Sequence, residues 1–216
     1  MNIESNQYID RLLQKHSSHL PEWIDKLEQE AKSKHVPIME QSGIAYLLQI
    51  LRLHQPKSIL EVGTAIGYSA LRMHDVLPEA FITTIERDEE RFKRAVANVS
   101  DFGVYEQFEL ILGDAHVEMD KMINEQILFD CVFIDASKGQ YEKFFEAADV
   151  LLKPGGIIIT DNVLFRGYVI DDSDVPKRYA NMVKKLQRYN DMLFENPSYI
   201  SNIVPVGDGV AISIKQ

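Results

Sequence analysis

The feature of this sequence that most restricts its fold is the regular alternation of short apolar segments with helical patterns. Five segments rich in Ile, Val, Leu, Phe and Thr occur at 58–62, 81–86, 108–112, 129–134 and 157–160. Between them, apolar residues recur at helical spacing. Strands that are apolar throughout, with helices between them, are typical of a parallel sheet covered on both faces. The sequence therefore predicts an α/β fold.

The end of the chain has a different pattern. A helix is predicted over 175–189, and two strands follow it at 199–204 and 210–214. Gly207-Asp208-Gly209 between these strands is typical of a hairpin, and Pro154-Gly155-Gly156 predicts a turn before the fifth strand. We expect a Rossmann-like, mostly parallel seven-stranded sheet with helices on both faces and a C-terminal antiparallel hairpin.

The N-terminal part of the chain is predicted to be helical. Apolar residues recur at helical spacing over 20–31, and a second helix is expected over 42–53. The apolar face of the first helix suits either a cover for the sheet or a contact between subunits. A chain of 216 residues, 45% of them hydrophobic, is long enough for one α/β core. We expect a single domain over 1–216, with a helical cover over 1–55 and an α/β core over 56–216.

Composition limits the partners and the compartment of this protein. The formal net charge is −10, so an overall basic surface for nucleic acid is not expected, although a local basic patch is compatible with RNA binding. No segment has the ~20 consecutive apolar residues of a membrane span, and residues 1–10 lack the apolar core of a signal peptide. The single cysteine, Cys131, permits no intrachain disulfide. We predict a cytoplasmic protein that does not enter a membrane.

A glycine turn follows the first predicted strand. Gly63 and Gly67 flank this turn, which leads into a helix with Ser69 in its first turn. Glycine permits positive φ and lets a ligand approach the backbone, and Glu86, at the end of the next strand, is a typical acceptor for ribose hydroxyls. Ala65 breaks the GxGxxG fingerprint of pyrophosphate sites. The pattern suits a ligand with a ribose but no pyrophosphate, or glycines that only permit tight packing.

Oxygen-bearing side chains follow two other predicted strands. Asp135 comes directly after the fourth apolar segment, and Asp161 and Asn162 come after the fifth. We expect the three to converge, because ligands of open α/β sheets bind at the carboxyl ends of the strands. Such hard oxygen ligands suit Mg²⁺, and Lys138 would lie beside the cation. The alternatives are an Asx turn at the second acid and a solvated surface lysine.

Together these residues resemble the cation-dependent O-methyltransferases, which include catechol and caffeoyl-CoA O-methyltransferases. The similarity extends from about residue 37 to the final hairpin. The motifs that carry it are Glu61–Ser69, Glu86, Gly113-Asp114, Asp135–Lys138 and Asp161-Asn162. The resemblance implies a class I methyltransferase fold, S-adenosylmethionine as methyl donor, and Mg²⁺ or another hard divalent cation. Within the family, the chain resembles the bacterial tRNA 5-hydroxyuridine methyltransferases in particular, including the segment Val36–Met39.

The resemblance also implies a role for each site residue. Cofactor binding is implied for Met39, Glu61, Gly63, Ser69, Glu86, Gly113, Asp114, Ala115 and Asp135. Of these, Gly63 and Ser69 would hold the methionine end, while Glu86 would hold the ribose. Asp114 and its neighbours would hold the adenine. The metal ligands would be Asp135, Asp161 and Asn162. The catalytic residues would be Lys138 and Asp135, with the lysine acting as a base or as a stabiliser of the acceptor oxyanion.

The acceptor hydroxyl is less constrained by the sequence. Five basic residues and no acid occur over 176–190, and we term them the basic row: Lys177, Arg178, Lys184, Lys185 and Arg188. With Arg166, the basic row suits the phosphates of an RNA stem-loop, or it is an ordinary solvated helix face. The resemblance favours the tRNA anticodon region as partner. The reaction would then methylate the 5-hydroxyl of 5-hydroxyuridine at the wobble position, giving 5-methoxyuridine.

Other functions are compatible with parts of this pattern. A small-molecule catechol or phenolic O-methyltransferase would use the same residues. An NAD-dependent dehydrogenase shares the glycine turn and Glu86 but leaves Asp161-Asn162 and the terminal hairpin unexplained. A non-catalytic RNA-binding module would not need Lys138. Because members of the resembled family are often homodimers, a homodimer is also expected.

Overall fold

The structure, a computed structural model, describes residues 3–16, 20–171 and 173–216. The strands within these ranges are β1 Ser58–Val62, β2 Phe81–Glu86, β3 Phe108–Leu112, β4 Phe129–Ile134, β5 Leu152–Thr160, β6 Tyr199–Val204 and β7 Val210–Lys215. The helices are α1 Ile3–His16, α2 Glu22–Ser33, α3 Gln41–His54, α4 Tyr68–Val76, α5 Glu89–Phe102, α6 Ala115–Asn124, α7 Tyr141–Leu151 and α8 Lys177–Glu195. In these ranges, no helix is both long and apolar enough to cross a membrane.

The strands form one sheet in the order β3-β2-β1-β4-β5-β7-β6. Strands β1 to β5 pair in parallel, whereas β7 is antiparallel to both β5 and β6. This arrangement confirms the predicted fold class, a mostly parallel seven-stranded sheet that ends in an antiparallel hairpin. The strand order reverses between β1 and β4, and ligands of open α/β sheets bind at such a reversal.

The central strands are apolar throughout because both faces of the sheet are buried. On β4, Cys131 and Phe133 belong to one apolar cluster, while Val132 and Ile134 belong to a second cluster on the opposite face. All four side chains are fully buried. Alternate side chains of a strand point to opposite faces, so a strand covered by helices on both sides needs apolar residues at every position.

The N-terminal helix α2 covers the sheet within its own chain. Its residues Ile24, Leu27 and Ala31 are buried, and they belong to the same apolar cluster as Ile44 of α3 and Leu71 of α4. The sequence predicted that this apolar face either covers the sheet or forms a contact between subunits. In the structure it packs against the rest of its own chain. A homodimer would have to use another surface.

Two predicted boundaries differ from the structure. Residues 154–156 do not form a separate turn but lie inside β5, where the pairing with β4 shifts register. Gly155, with φ +75°, takes up this irregularity. Helix α8 continues to Glu195 instead of ending near 189, because Leu193 extends the buried row that contains Tyr189.

The carboxyl ends of β1 and β4 are in close contact. Gly63, directly after β1, has φ +107°, and a Cβ atom at this position would lie 2.1 Å from the carbonyl oxygen of Asp135. The N–H of Asp135 donates to the carbonyl oxygen of Val62 at 3.0 Å. Only a residue without a side chain fits between these strand ends, so the backbone itself brings the glycine turn and the acid together.

We expect Gly63→Ala to destabilise the protein by about 3 kcal/mol or more, because it combines an unfavourable φ with a backbone clash. Gly103→Ala is the matched control, since Gly103 also has positive φ but a Cβ atom added there would meet nothing within 4 Å; it should cost about 1 kcal/mol. Urea unfolding of both variants measures the difference. Equal losses would show that the contact with Asp135 is not restrictive.

Candidate active site

A cavity of about 520 Å³ opens at the carboxyl ends of the first five strands. Its volume is typical of sites for small molecules and cofactors. The predicted site residues that line it are Met39, Gly63, Ser69, Glu86, Gly113, Asp114, Ala115, Asp135, Lys138, Asp161 and Asn162. Tertiary structure thus collects into one cavity the side chains that follow five separate strands.

Glu86 is held rigidly at the end of β2. One carboxylate oxygen accepts the N–H of Ala65 at 2.8 Å, and the other accepts the N–H groups of Arg87 and Asp88, each at 2.9 Å. Because a carboxylate has about four acceptor positions, at least one is left for a hydroxyl group of a ligand. The fixed carboxylate at the cavity wall suits recognition of a ribose.

The resemblance implies that Glu61 contacts the cofactor, and the structure places its side chain behind the cavity wall. Its side chain is fully buried and lies outside the cavity lining. The hydroxyl groups of Ser69 and Thr84 donate to its two carboxylate oxygens. Removal from water raises the pKa of Glu61 to about 8, although these two hydrogen bonds oppose the rise. Glu61 therefore supports the first turn of α4 from beneath.

The wall beside α6 contains residues that the sequence did not indicate. Asp114 caps α6 by accepting the N–H of His116 at 3.0 Å. The ring of His116 stacks on Phe144, with centroids 4.3 Å apart, and its Nε2 lies 3.0 Å from Oε1 of Gln140. A ring pair at the cavity edge suits contact with a planar base. The sequence could not identify Phe144 as a cavity residue, because its position on the apolar face of α7 is typical of an ordinary core residue.

Asp135, Asp161 and Asn162 converge on the opposite side of the cavity. Asn162 has φ +60°, so the chain turns directly after Asp161 and both side chains reach the same space. The N–H of Asn162 donates to Oδ1 of Asp161 at 2.8 Å, and the hydroxyl of Tyr141 donates to the carbonyl oxygen of Asp161 at 2.9 Å. These bonds hold the two oxygen-bearing residues in place.

The electrostatics of this corner suit a hard divalent cation. Removal from water raises the pKa of Asp135, and for Asp161 the same effect is reinforced by the neighbouring Asp135 carboxylate. A bound cation would favour both charged forms. Within the described ranges no group of three or more His, Cys, Asp or Glu side chains could hold a metal. The oxygen-bearing side chains at this corner are the carboxylates of Asp135 and Asp161 and the amide of Asn162. Two carboxylates and an amide fit Mg²⁺.

Lys138 lies between this corner and the cavity mouth. Its Nζ donates to Oδ1 of Asn162 at 2.6 Å and lies 5.9 Å from the centre of the Phe165 ring. The side chain is partly buried. This environment differs from that of a solvated surface lysine, because the ammonium group is directed at a predicted metal ligand.

The mouth of the cavity is formed by residues from distant parts of the chain. Glu40 precedes α3, and Asp208 lies in the hairpin turn; both line the cavity with Arg166. Oδ1 of Asp208 accepts the N–H of Arg166 at 3.1 Å. Burial, with the nearby carboxylates of Asp208 and Asp10, raises the pKa of Glu40. Only Arg166 was indicated by the sequence, since the two acids have no local pattern that distinguishes them from surface carboxylates.

The basic row lies along α8. Its exposed members are Lys177, Arg178, Lys184 and Arg188. Arg188 forms an ion pair of 3.2 Å with Glu142. Lys185 is partly buried instead, and its Nζ donates to the carbonyl oxygen of Gly139 at 3.1 Å. The basic row therefore borders the turn that carries Lys138.

Comparison with known protein families identifies the type of site. A family model described as O-methyltransferase matches residues 14–216. The chain is 33% identical to a catechol O-methyltransferase of Niastella koreensis, over 78% of this chain and 78% of that protein. The match to the family model therefore includes the cavity, the hairpin and all the predicted site residues.

Solved structures of proteins described as O-methyltransferases are also similar to this chain. A Staphylococcus aureus protein described as a candidate caffeoyl-CoA O-methyltransferase is 37% identical, with a TM-score of 0.89 over 97% of this chain and 100% of that one. The O-methyltransferase TomG of Streptomyces achromogenes, solved in complex with S-adenosylmethionine, is 26% identical, with a TM-score of 0.80 over 100% of this chain and 99% of that one. Both similarities extend over the whole fold.

Glu61 should make stability depend on pH. Its pKa is raised from 4.5 to about 8 in the folded protein, so the folded state keeps a proton that the unfolded chain releases. The free energy of unfolding should therefore fall by up to about 1.4 kcal/mol per pH unit between about pH 4.5 and 8. Glu61→Gln should remove this contribution, while that of Asp161, whose pKa is also raised to about 8, remains.

Urea unfolding at several pH values measures this effect. Glu146→Gln, which removes an exposed carboxylate from α7, is the control for the loss of one acid. If Glu61→Gln and Glu146→Gln unfold with the same pH dependence, the buried carboxyl does not titrate as described.

Proposed function

This chain belongs to the O-methyltransferase family, and we propose that it transfers the methyl group of S-adenosylmethionine to an acceptor hydroxyl with the help of a hard divalent cation such as Mg²⁺. The observation that carries this proposal is the convergence of Glu86, Asp135, Lys138 and Asp161 on one cavity. An acceptor for ribose, a hard-ligand corner and a lysine are the parts that this reaction needs. The complex of the related TomG with S-adenosylmethionine supports the choice of donor.

The donor would bind along the β1, β2 and β3 ends. S-adenosylmethionine supplies a methyl group on a sulfonium, so the S–CH₃ bond breaks as the new O–CH₃ bond forms and the sulfur becomes a neutral thioether. Glu86 would accept the ribose hydroxyls, and Asp114 with the adjoining His116 would bound the adenine. Gly63 leaves room for the methionine end, and Met39 closes the cavity from the N-terminal side.

The acceptor would bind between the hard-ligand corner and the cavity mouth. Asp135, Asp161 and Asn162 would hold the cation, which when bound would lower the pKa of the acceptor hydroxyl and orient its oxygen. The hydroxyl proton would then be released to solvent before the methyl group is transferred. We assign to Lys138 the stabilisation of the acceptor oxyanion by its positive charge. Its Nζ is placed at this corner, where it donates to Oδ1 of Asn162. Phe165 lies beside this lysine, with its ring centre 5.9 Å from Nζ.

For the acceptor itself we propose 5-hydroxyuridine at the wobble position of tRNA, which would become 5-methoxyuridine. The four exposed members of the basic row supply positive charge beside the turn of Lys138, in a chain whose formal net charge is −10. Arg166 adds a cation at the mouth. Such groups suit phosphates that flank a base inserted into the cavity. An unpaired anticodon base is accessible without breaking a base pair.

A small catechol or phenol is the second candidate acceptor. The related protein of Niastella koreensis is a catechol O-methyltransferase, and the same corner would accept two adjacent hydroxyl groups. An NAD-dependent dehydrogenase is not compatible with membership of this family. The choice between tRNA and a small phenol therefore depends on what binds at the mouth.

The acceptor is tested by labelled methyl transfer from S-adenosylmethionine. We expect tRNA that contains 5-hydroxyuridine to be methylated with a kcat/KM at least about tenfold above that of any catechol in a panel. A chelator should abolish transfer, and Mg²⁺ should restore it. tRNA without the hydroxyl is the control. Efficient methylation of catechols with inert tRNA would reject the tRNA assignment but not the methyltransferase.

The role of Lys138 is tested by two substitutions. Lys138→Met should lower kcat by about 10²-fold or more, because a charge that stabilises the oxyanion is lost. Lys138→Arg should retain more activity, since arginine keeps the charge but cannot act as a base. Lys143→Met, on the exposed face of α7, is the control. Equal losses for Lys138→Met and Lys138→Arg would instead favour a lysine that accepts the proton.

A further inference from the structure

We propose that Lys185 is a positioning residue, which holds the turn that carries Lys138. The inference rests on the function proposed above, in which Lys138 acts on the acceptor oxygen. Lys185 belongs to the basic row, but its surroundings differ from those of the other members. It is partly buried, and its Nζ donates to the carbonyl oxygen of Gly139 at 3.1 Å. Its charge is used inside the protein.

The turn Lys138–Gln140 is held in place by three different elements. The Nζ of Lys138 donates to Oδ1 of Asn162, which follows β5. The carbonyl oxygen of Gly139 accepts from Lys185 of α8. The side-chain Oε1 of Gln140 lies 3.0 Å from Nε2 of His116 on α6. A 3₁₀ turn of three residues has few internal hydrogen bonds. In this turn the N–H of Gln140 donates to the carbonyl oxygen of Ser137. The position of the turn therefore depends on its contacts with the rest of the protein.

The contact from α8 is placed directly against the backbone of the turn. A Cβ atom at Gly139 would lie 3.7 Å from Nζ of Lys185, which is an ordinary van der Waals contact, so the ammonium group packs directly against this residue. A hydrogen bond with a charged donor is stronger than a neutral one. The ion pair of Arg188 with Glu142 joins the same two parts of the chain just beyond the turn. Helix α8 thus fixes both the turn and the start of α7.

Loss of this contact would affect catalysis more than binding. If Gly139 is released, the turn can move and carry Nζ of Lys138 away from Asn162. A displacement of about 1 Å in a catalytic group can cost about 10²-fold in rate. On the donor side of the cavity, Glu86 forms its hydrogen bonds with Ala65, Arg87 and Asp88, and the described residues show none between Glu86 and α8. The KM for S-adenosylmethionine should therefore change little while kcat falls.

The experiment compares neighbouring lysines of α8 in the full chain. Lys185→Met removes the contact with the turn, and Lys185→Arg restores a charged donor. Lys184→Met removes the same charge one position away, where the described residues offer no hydrogen bond or ion pair. Hydrogen exchange of the peptide 136–142 is measured for each variant. With the best acceptor from the methyl-transfer panel, kcat and KM are also measured.

We expect hydrogen exchange of this peptide to be about tenfold faster in Lys185→Met than in Lys184→Met. The kcat of Lys185→Met should be about tenfold below that of Lys184→Met. In Lys185→Arg, both the exchange rate and kcat should return towards the values of the unchanged protein. Equal exchange in Lys185→Met and Lys184→Met would overturn the proposal. Faster exchange with equal kcat would overturn the positioning role. If the unchanged protein methylates no acceptor, the proposed function fails, while the exchange comparison still supports or overturns the contact that holds the turn.

Discussion

The backbone contact between the ends of β1 and β4 is the constraint on which the rest of the site depends. Gly63 and Asp135 approach so closely that no side chain fits between them. This contact places the glycine turn, which faces the proposed donor, beside the first residue of the hard-ligand corner. The two halves of the proposed reaction are therefore joined by main-chain geometry, and side chains only refine what the sheet order establishes.

Around that contact, the protein keeps several carboxylates away from water and gives each a different environment. The carboxylate of Glu86 accepts hydrogen bonds from three backbone N–H groups. Among the described residues, the carboxyl group of Glu61 accepts hydrogen bonds only from the hydroxyl groups of Ser69 and Thr84. The carboxylates of Asp135 and Asp161 are neighbours. The environment of Glu86 suits a fixed hydrogen-bond acceptor, whereas that of Glu61 suits a neutral carboxyl group. The environment of Asp135 and Asp161 suits a pair that a cation would stabilise. One type of side chain thus serves three purposes, which burial and partners decide.

The proposed acceptor side has a different origin from the donor side. Donor residues directly follow strands, so their positions come from the regular sheet. The mouth is built from the segment before α3, the loop after β5 and the hairpin turn, represented by Glu40, Arg166 and Asp208. Loops of this kind vary while the sheet is kept. This explains how one family can retain a common site and still act on catechols, CoA esters and, as proposed here, a nucleoside of tRNA.

The sequence by itself determined the strands, a mostly parallel sheet and the residues at the strand ends, because fully apolar strands and terminal acids are local patterns. The order of the strands in the sheet came from the tertiary structure. It could not show that Glu61 lies beneath the cavity, since burial depends on what Ser69 and Thr84 contact. It also could not find Phe144, Asp208 or the bond from Lys185 to Gly139. These depend on elements that are distant in the chain and meet only in the folded sheet, so tertiary structure alone decided them.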